Sequence, residues 1–400
     1  MTNNKDKKVL NVPAVRFPEF TGEWEKCKLS KVCSFFSGGT PPSSNKEYYN
    51  GNIPFIRSGE LHNDETELFI TKEGLDNSAA KMVEVGDLLL ALYGATSGNI
   101  AISKIKGAIN QAILCIRTKQ NKKFVESVWN KHVARLLQTY LQGGQGNLSA
   151  DIVKNIPFYF TNIEEQNKLA RFISLLDQRI AAQNKIIEKY ESLIQAICDT
   201  LIESGQPKVE LSFNDFGEPY SGLSGKSAED FGKGWPYITY MNVYQNQIID
   251  ITDVGLVKIN ETEQQSVVRY GDILFTLSSE TPDEVGMGAV YLGDIYPLYL
   301  NSFCFGVHIT DESKIYPPFL AYYISTKSFR KAVFPLAQGS TRFNLQKSDF
   351  MKKKFLFPTV EEQNKIYSVL KAYSDKLSIE KNIANLLCEQ KSYLLRQLFI

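Results

Sequence analysis

Histidine is nearly absent from this 400-residue chain: His62, His132 and His308 are the three present, none beside a cysteine or carboxylate motif. Six cysteines occur, Cys27, Cys33, Cys115, Cys198, Cys304 and Cys388, with no Cys-x-x-Cys pair. Structural zinc sites need tighter clusters, so reduced and mostly buried thiols are expected. No run of about 18 apolar residues exists, which argues against a helical membrane span. The start, Met1-Thr2-Asn3-Asn4-Lys5-Asp6-Lys7-Lys8, is polar and leads into no apolar signal core, so a cytoplasmic location is expected. Excess charge is missing too: the net is +1. A nucleic-acid binder of this composition must hold its Lys and Arg in local clusters.

Catalytic signatures are equally scarce. Ser224-Gly225-Lys226-Ser227 looks like the end of a phosphate loop, but Tyr220 stands where the first glycine is required. Phe231-Gly232-Lys233-Gly234 shares a glycine turn with S-adenosylmethionine sites, without the Asn/Asp-Pro-Pro-aromatic loop of a methyltransferase. Pro282-Asp283-Glu284 lacks the downstream acid-x-Lys of a common nuclease core. Gly/Tyr/Ser-rich turns account for all three segments.

What the chain does contain is a repeat. Glu164-Glu165-Gln166-Asn167-Lys168 recurs as Glu361-Glu362-Gln363-Asn364-Lys365, and Asn147-Leu148 as Asn344-Leu345, both 197 residues on. Val85-Gly86-Asp87-Leu88-Leu89 aligns with Tyr270-Gly271-Asp272-Ile273-Leu274 at an offset of 185, so insertions separate the two blocks. Two diverged halves follow, each a mixed domain and then a helix.

The helices are the clearest elements. Asn162 and Thr359 are suitable N-caps, each with Glu three residues on, the pattern of a capping box. Apolar positions then run Leu169, Ile173, Leu176, Ile180, Gln183, Ile187, Tyr190, Ile194, Ile197, Leu201, a heptad seam ended by Gly205 and Pro207. The second seam is Ile366, Leu370, Tyr373, Leu377, Glu380, Ala384, Leu387, Lys391, Leu394, Leu398. About 40 residues make a helix of roughly 60 Å, and such amphipathic lengths need a partner. Antiparallel pairing would bring the polar interruptions Gln183 and Glu380 together and fix register.

Strands are expected at Asn52–Arg57 and its counterpart Trp235–Met241, at Leu88–Tyr93 and Ile273–Leu277 after the Gly-Asp turns, and at Asn99–Ser103, Ala112–Arg117, Ala289–Leu292 and Phe303–Ile309. Helices fit Lys123–Leu141 and Pro318–Phe334. Polar-aromatic loops follow the strands: Tyr93-Gly94-Ala95-Thr96-Ser97-Gly98-Asn99, and Ser278-Ser279-Glu280-Thr281 in the matching place. Their side chains can meet base edges and phosphates. Lys104, Lys106, Arg117, Lys119, Lys122 and Lys123 lie near the first, and Lys327, Arg330, Lys331, Arg342, Lys347 and Lys352-Lys353-Lys354 near the second. The glycine loop holding Gln145 matches the one holding Arg342, and Gly lets backbone N–H groups approach phosphate.

Val12-Pro13-Ala14-Val15-Arg16-Phe17-Pro18-Glu19-Phe20-Thr21-Gly22-Glu23-Trp24, then Leu29-Ser30-Lys31-Val32 and Ser37-Gly38-Gly39-Thr40-Pro41, resembles the start of type I restriction–modification specificity subunits. The block Tyr49–Leu61, both Gly-Asp turns and the paired Glu-Glu-Gln-Asn-Lys helix starts are similar to the same family, over essentially the whole chain. The resemblance implies an α+β fold with two mixed target-recognition domains in pseudo-twofold tandem repeat, separated by two long antiparallel coiled-coil helices. The expected boundaries are 1–163 and 207–360 for the domains, with spacer helices at 164–206 and 361–400. It also implies a non-catalytic, double-stranded-DNA-binding chain that reads a bipartite site, with the helices as a ruler. Two modification subunits would dock on it and methylate adenine N6 with S-adenosylmethionine, and restriction subunits would add ATP- and Mg-dependent cleavage. This chain itself would hold no cofactor and no metal.

Contacts to DNA are then expected from Thr40, Arg57, Tyr93, Thr96, Ser97, Asn99, Lys104, Gln145, Tyr240, Ser278, Ser279, Thr281, Arg342 and Lys347. The second half departs from the pattern: Val209–Gly234 stands where a Phe-Pro-x-Phe…Trp copy is due, so an asymmetric site with two different half-sequences is expected. The competing reading is a coiled-coil interaction scaffold that reads no DNA sequence.

Overall fold

The computed structural model describes residues 10–140, 147–204 and 207–400. The chain forms two compact units, one of residues 1–184 with 382–400, the other of residues 185–381. Each long helix is therefore shared out between the units.

In the first unit, strands β1 (Glu25–Lys28) and β10 (Pro157–Phe160) form an antiparallel ribbon. Inside that ribbon lie β2 (Cys33–Ser37), β3 (Tyr49–Ile56), β4 (Phe69–Ile70), β5 (Lys81–Val83), β6 (Leu88–Ala91), β7 (Ile100–Ile102), β8 (Gly107–Ile109) and β9 (Ile113–Thr118). They build two sheets in the orders β2-β9-β6-β7 and β4-β3-β8-β5. Leu88-Leu89-Leu90-Ala91 is buried throughout, as an uninterrupted apolar run at the centre of a sheet should be. The helix Lys122–Tyr140 covers this core with Phe124, Val125, Val128 and Trp129.

The second unit repeats the plan. β11 (Lys208–Ser212) pairs with β22 (Lys354–Pro358) as the ribbon. β12 (Gly217–Ser221), β13 (Phe231–Ile238), β14 (Val254–Val257), β15 (Ile273–Thr276), β16 (Ser278–Ser279), β17 (Gly288–Val290), β18 (Tyr299–Leu300), β19 (Cys304–Ile309), β20 (Ala337–Gln338) and β21 (Phe343–Leu345) lie inside it. The order β12-β19-β15-β17 matches β2-β9-β6-β7, β14-β13-β18 matches β4-β3-β8 and leaves β5 unmatched, and β16-β21-β20 is a further small sheet. The segment Val209–Gly234, read from sequence as a replacement, thus supplies a ribbon strand and a sheet strand in the same places as β1 and β2. The backbone is repeated where the side chains are not.

Two other sequence expectations are amended. Pro318–Phe334 is not one helix: Pro317–Tyr323 ends, and Lys327–Val333 starts afresh on Thr326, whose hydroxyl accepts from Phe329 N–H. The long helices, Ile163–Ser204 and Val360–Leu398, do begin on Asn162 and Thr359. Glu165 does not reach back as a capping-box partner, however. Its buried carboxylate takes two 2.7 Å bonds from Arg16.

The repeated Gln does the tying at both helix starts. Gln166, fully buried, accepts from Asn121 N–H at 3.1 Å and donates to Gln120 Oε1 and Thr161 O, each at 2.7 Å. Gln363, equally buried, accepts from Tyr316 N–H at 2.8 Å and donates to Pro358 O at 2.8 Å and Lys314 O at 3.4 Å. In both units one amide clamps the helix start to the turn that opens an earlier helix, Lys122–Tyr140 in the first and Pro317–Tyr323 in the second.

Within the first unit, Leu169 and Ile173 share a core with Leu398 and Phe399, and Asp177 pairs with Lys391 at 2.5 Å. Within the second, Ile194, Cys198 and Ile202 share a core with Ile366 and Leu370, and Glu191 pairs with Lys381 at 2.7 Å. In each unit the two helix segments therefore run in opposite directions. Every expected seam position is buried or half-buried: Leu176, Ile180, Gln183, Ile187 and Leu377 partly, Leu387 and Glu380 fully. Glu380 takes Lys376 at 2.8 Å. The helix stop at Gly205 lies outside the described residues. Of the cysteines, Cys115, Cys198 and Cys304 are buried, Cys27 and Cys33 half-buried and Cys388 exposed. Among the described residues, no helix is long and apolar enough to cross a membrane.

Candidate DNA-recognition loops

The Gly-Asp turns explain themselves locally. Gly86 and Gly271 take φ of +88° and +87°, a conformation that favours glycine. Asp87 then accepts from Glu84 N–H at 3.1 Å, and Asp272 from Arg269 N–H at 2.8 Å. Each acid also meets a base from the neighbouring strand, at matched register: Arg117 on β9 at 2.8 Å and His308 on β19 at 2.9 Å. Burial pushes the Asp87 carboxyl up, but Arg117 and the Glu84 amide outweigh it and hold it below its usual range.

Beyond those strands, three loops converge in each unit, knitted by the same backbone bonds. In the first, Leu92 N–H donates to Ala112 O at 2.8 Å, and Leu148 N–H to Leu92 O at 2.9 Å. In the second, Leu277 N–H donates to Phe303 O at 2.9 Å, and Leu345 N–H to Leu277 O at 2.8 Å. The middle loop is shaped alike as well: Asn110 Oδ1 accepts from Ala112 N–H at 3.0 Å and Asn301 Oδ1 from Phe303 N–H at 2.9 Å. The scaffold is common and the residues on it differ. Tyr93 corresponds to Ser278 and Ala112 to Phe303; in the sequence repeat alone, Gln145 aligns with Arg342.

Each first loop is also anchored to the covering helix. Trp129 Nε1 donates to Gly98 O at 2.8 Å. In the second unit Arg330 does this work, donating to Gly286 O (2.7 Å), Asp283 O (2.6 Å) and Val285 O (2.8 Å). Arg330, a candidate basic residue by sequence, is thus spent on carbonyls and lowered by burial from its ordinary value.

The expected contact residues divide accordingly. In the first unit, Tyr93 is exposed, Thr96 half-buried, and Ser97 Oγ donates to Leu92 O at 3.0 Å. Thr40 joins the cluster by donating to Gln111 at 2.6 Å. Asn99 and Lys104 line a neighbouring hollow with His62, whose carbonyl accepts from Lys104 Nζ at 2.8 Å. Arg57 is neutralised by Glu60 at 2.8 Å and Glu67 at 2.6 Å, and so offers a phosphate little. Gln145 falls outside the described residues.

In the second unit, Tyr240, Ser278, Ser279 and Arg342 line one concavity of about 310 Å³, together with Met241, Tyr244, Glu280, Glu284 and Phe303. Tyr240 donates to Ser278 O at 2.8 Å, and both serines are buried on β16. Thr281 is exposed on the same loop, and Lys347 donates to Ser221 Oγ at 3.2 Å. Sequence reading missed Met241, Tyr244, Glu284 and Phe303. Exposure of Met241 and Phe303, at 46% and 55%, is what marks them, and one sequence does not display exposure.

A duplicated α+β scaffold with two matched loop clusters is the architecture of a two-site recognition protein. Comparison with known proteins agrees. The profile of the type I restriction modification DNA specificity domain matches twice, at residues 21–192 and 221–389. The MjaVIII type I restriction enzyme specificity subunit of Methanocaldococcus jannaschii is 22% identical over 94% of this chain and 91% of its own length. The MjaIX specificity subunit of the same organism is 27% identical over 42% of this chain and 41% of its own. Among solved structures, the S subunit of a type I restriction–modification system from M. genitalium shares the fold, with a TM-score of 0.55 at 17% identity, covering 97% of this chain and 99% of that one. A chain from a study of type I R-M complex assembly and conformational transition gives 0.58 at 16% identity, covering 94% and 97%. The chain therefore belongs to the type I restriction modification DNA specificity family: it is a specificity subunit, a component without catalysis of its own.

Proposed function

We propose that each unit reads one part of a split, asymmetric DNA site through its loop cluster, with the long helices setting the distance between the two parts. The observation that carries this reading is the pair of identical backbone bonds that hold three loops together in each unit while the exposed side chains differ. A fixed scaffold with variable tips is what two half-site readers of different sequence require. Lys and Arg contacts to phosphate hold the protein on the duplex and make affinity salt-dependent, and base-edge contacts add about 1–3 kcal/mol of discrimination per pair.

Two modification subunits would dock on this chain and supply adenine-N6 methylation using S-adenosylmethionine, and restriction subunits would bring ATP- and Mg-dependent cleavage. The family membership supports this set of partners, and cells are the setting for the test. N6-methyladenine is mapped by sequencing in cells carrying this chain and its modification subunit, and again after deletion of the chain. Methylation at one bipartite, asymmetric motif, lost on deletion, is the expected result. A methylation pattern unchanged by the deletion removes the DNA-reading role and leaves a coiled-coil scaffold in its place.

A further inference from the structure

We infer that Arg342, braced on Phe303, reads the guanine of a G·C pair in the half-site of the second unit; this rests on the DNA-reading role proposed above. The Arg342 guanidinium lies 5.9 Å from the Phe303 ring centroid, and that ring is 55% exposed. Among the described residues, Arg342 makes no ion pair or hydrogen bond, whereas Arg57, Arg117 and Arg330 are each engaged by carboxylates or carbonyls. It stands on the turn between β20 and β21, at the rim of the concavity that Tyr240, Tyr244 and Ser279 also line.

The charge of that concavity decides between phosphate and base. Glu284 lies in it, and hydrogen bonds from Tyr244, Thr281 and Ser279 hold its carboxyl below the usual range, so it is an anion at neutral pH. Tyr244 donates to it at 2.7 Å and Ser279 at 3.0 Å, which fixes the carboxylate in place. A phosphate would meet that anion and be repelled. A G·C pair in the major groove instead presents two adjacent acceptors, guanine N7 and O6, followed by the cytosine N4 amino donor. A forked donor beside a fixed acceptor complements that pattern. An A·T pair breaks the two adjacent acceptors, so it is selected against. In the first unit Ala112 takes the place of Phe303, so no ring braces the equivalent position. The reading belongs to one half-site alone.

The test maps N6-methyladenine in cells carrying the modification subunit with wild-type chain, R342A, R342K or F303L. Expected is a motif in which one guanine position of one half-site relaxes in R342A and R342K, with discrimination falling about tenfold to a hundredfold. F303L should relax the same position less, and the other half-site should not change. R342K keeps length and charge but loses the fork, so it decides the matter should R342A fail to fold. An unchanged motif in R342A or R342K overturns the inference. So does a uniform loss across all positions, the mark of a phosphate contact, or relaxation at a base other than guanine. If the wild-type chain specifies no bipartite motif, the DNA-reading role itself has failed; a motif that persists unaltered in the variants sinks only the base assignment.

Discussion

Replacing Gln363 by Leu should destabilise the second unit by about 2–4 kcal/mol. The amide is fully buried and joins Tyr316 N–H, Pro358 O and Lys314 O. Leu fills a similar volume but leaves the Tyr316 N–H and the Pro358 carbonyl buried without partners. Each such loss costs about 1–3 kcal/mol, partly offset by the gain of an apolar side chain. For a cooperative unit of this size that is a fall in melting temperature of about 5–15 °C. Gln363→Glu adds a sign that Leu lacks. A carboxylate facing two carbonyls is repelled when ionised but can donate when protonated, so its folded-state pKa is raised and the deficit should shrink as pH falls. Asn364→Ala, next door and exposed, should stay within about 0.5 kcal/mol. Scanning calorimetry of the three variants checks this. A Gln363→Leu protein melting within about 2 °C of wild type would refute the claim that the buried amide ties the helix to the domain.

Other consequences are as direct. Arg330→Ala frees the loop carbonyls of Asp283, Val285 and Gly286, so methylome mapping should show lowered fidelity at the second unit's half-site and not at the first's. Burial pushes the Glu60 carboxyl up, but Arg57, the Arg57 and Glu67 amides and Thr66 outweigh it and bring it to about 2 from an ordinary 4.5. A lowered carboxylate stabilises fully above its unfolded value and loses that contribution as pH falls through the folded one. Urea midpoints of wild type and Glu60→Gln should therefore differ above pH 4.5 and converge toward pH 2. Inserting seven residues into each long helix lengthens each by about 10 Å, and the mapped spacer should grow by about three base pairs with both half-sequences kept; an unchanged spacer would end the ruler idea.

The long helices were legible because heptad spacing and N-caps are local signals, and burial of Leu169, Ile173, Leu370 and Leu387 follows that seam. The Gly-Asp turns were legible for the same reason. The role of Gln166 and Gln363 was not: the repeat named the residues, but the partners that tie them to another helix lie 45 to 49 positions away. The ribbon strand Lys208–Ser212 escaped because its register with β22 is set by backbone bonds that many side chains permit. Arg57 and Arg330 looked like free cations in the sequence, yet the nearby carboxylates of Glu60 and Glu67 had claimed the first and the carbonyls of a turn 44 to 47 positions away the second. The loop cluster was half visible. Its polar tips could be read, but the bonds joining Leu92 to Ala112 and Leu277 to Phe303 bridge loops that only the fold brings together.

Each recognition module enters and leaves through a paired ribbon, Glu25 opposite Phe160 and Lys208 opposite Pro358, so one can be exchanged for the other at fixed ends. The most direct test of the account is to put a copy of residues 25–160 in place of 208–358 and map the methylated motif. The account predicts the first unit's half-sequence in both halves, at an unchanged spacing. A motif that keeps the original second half-sequence would contradict it.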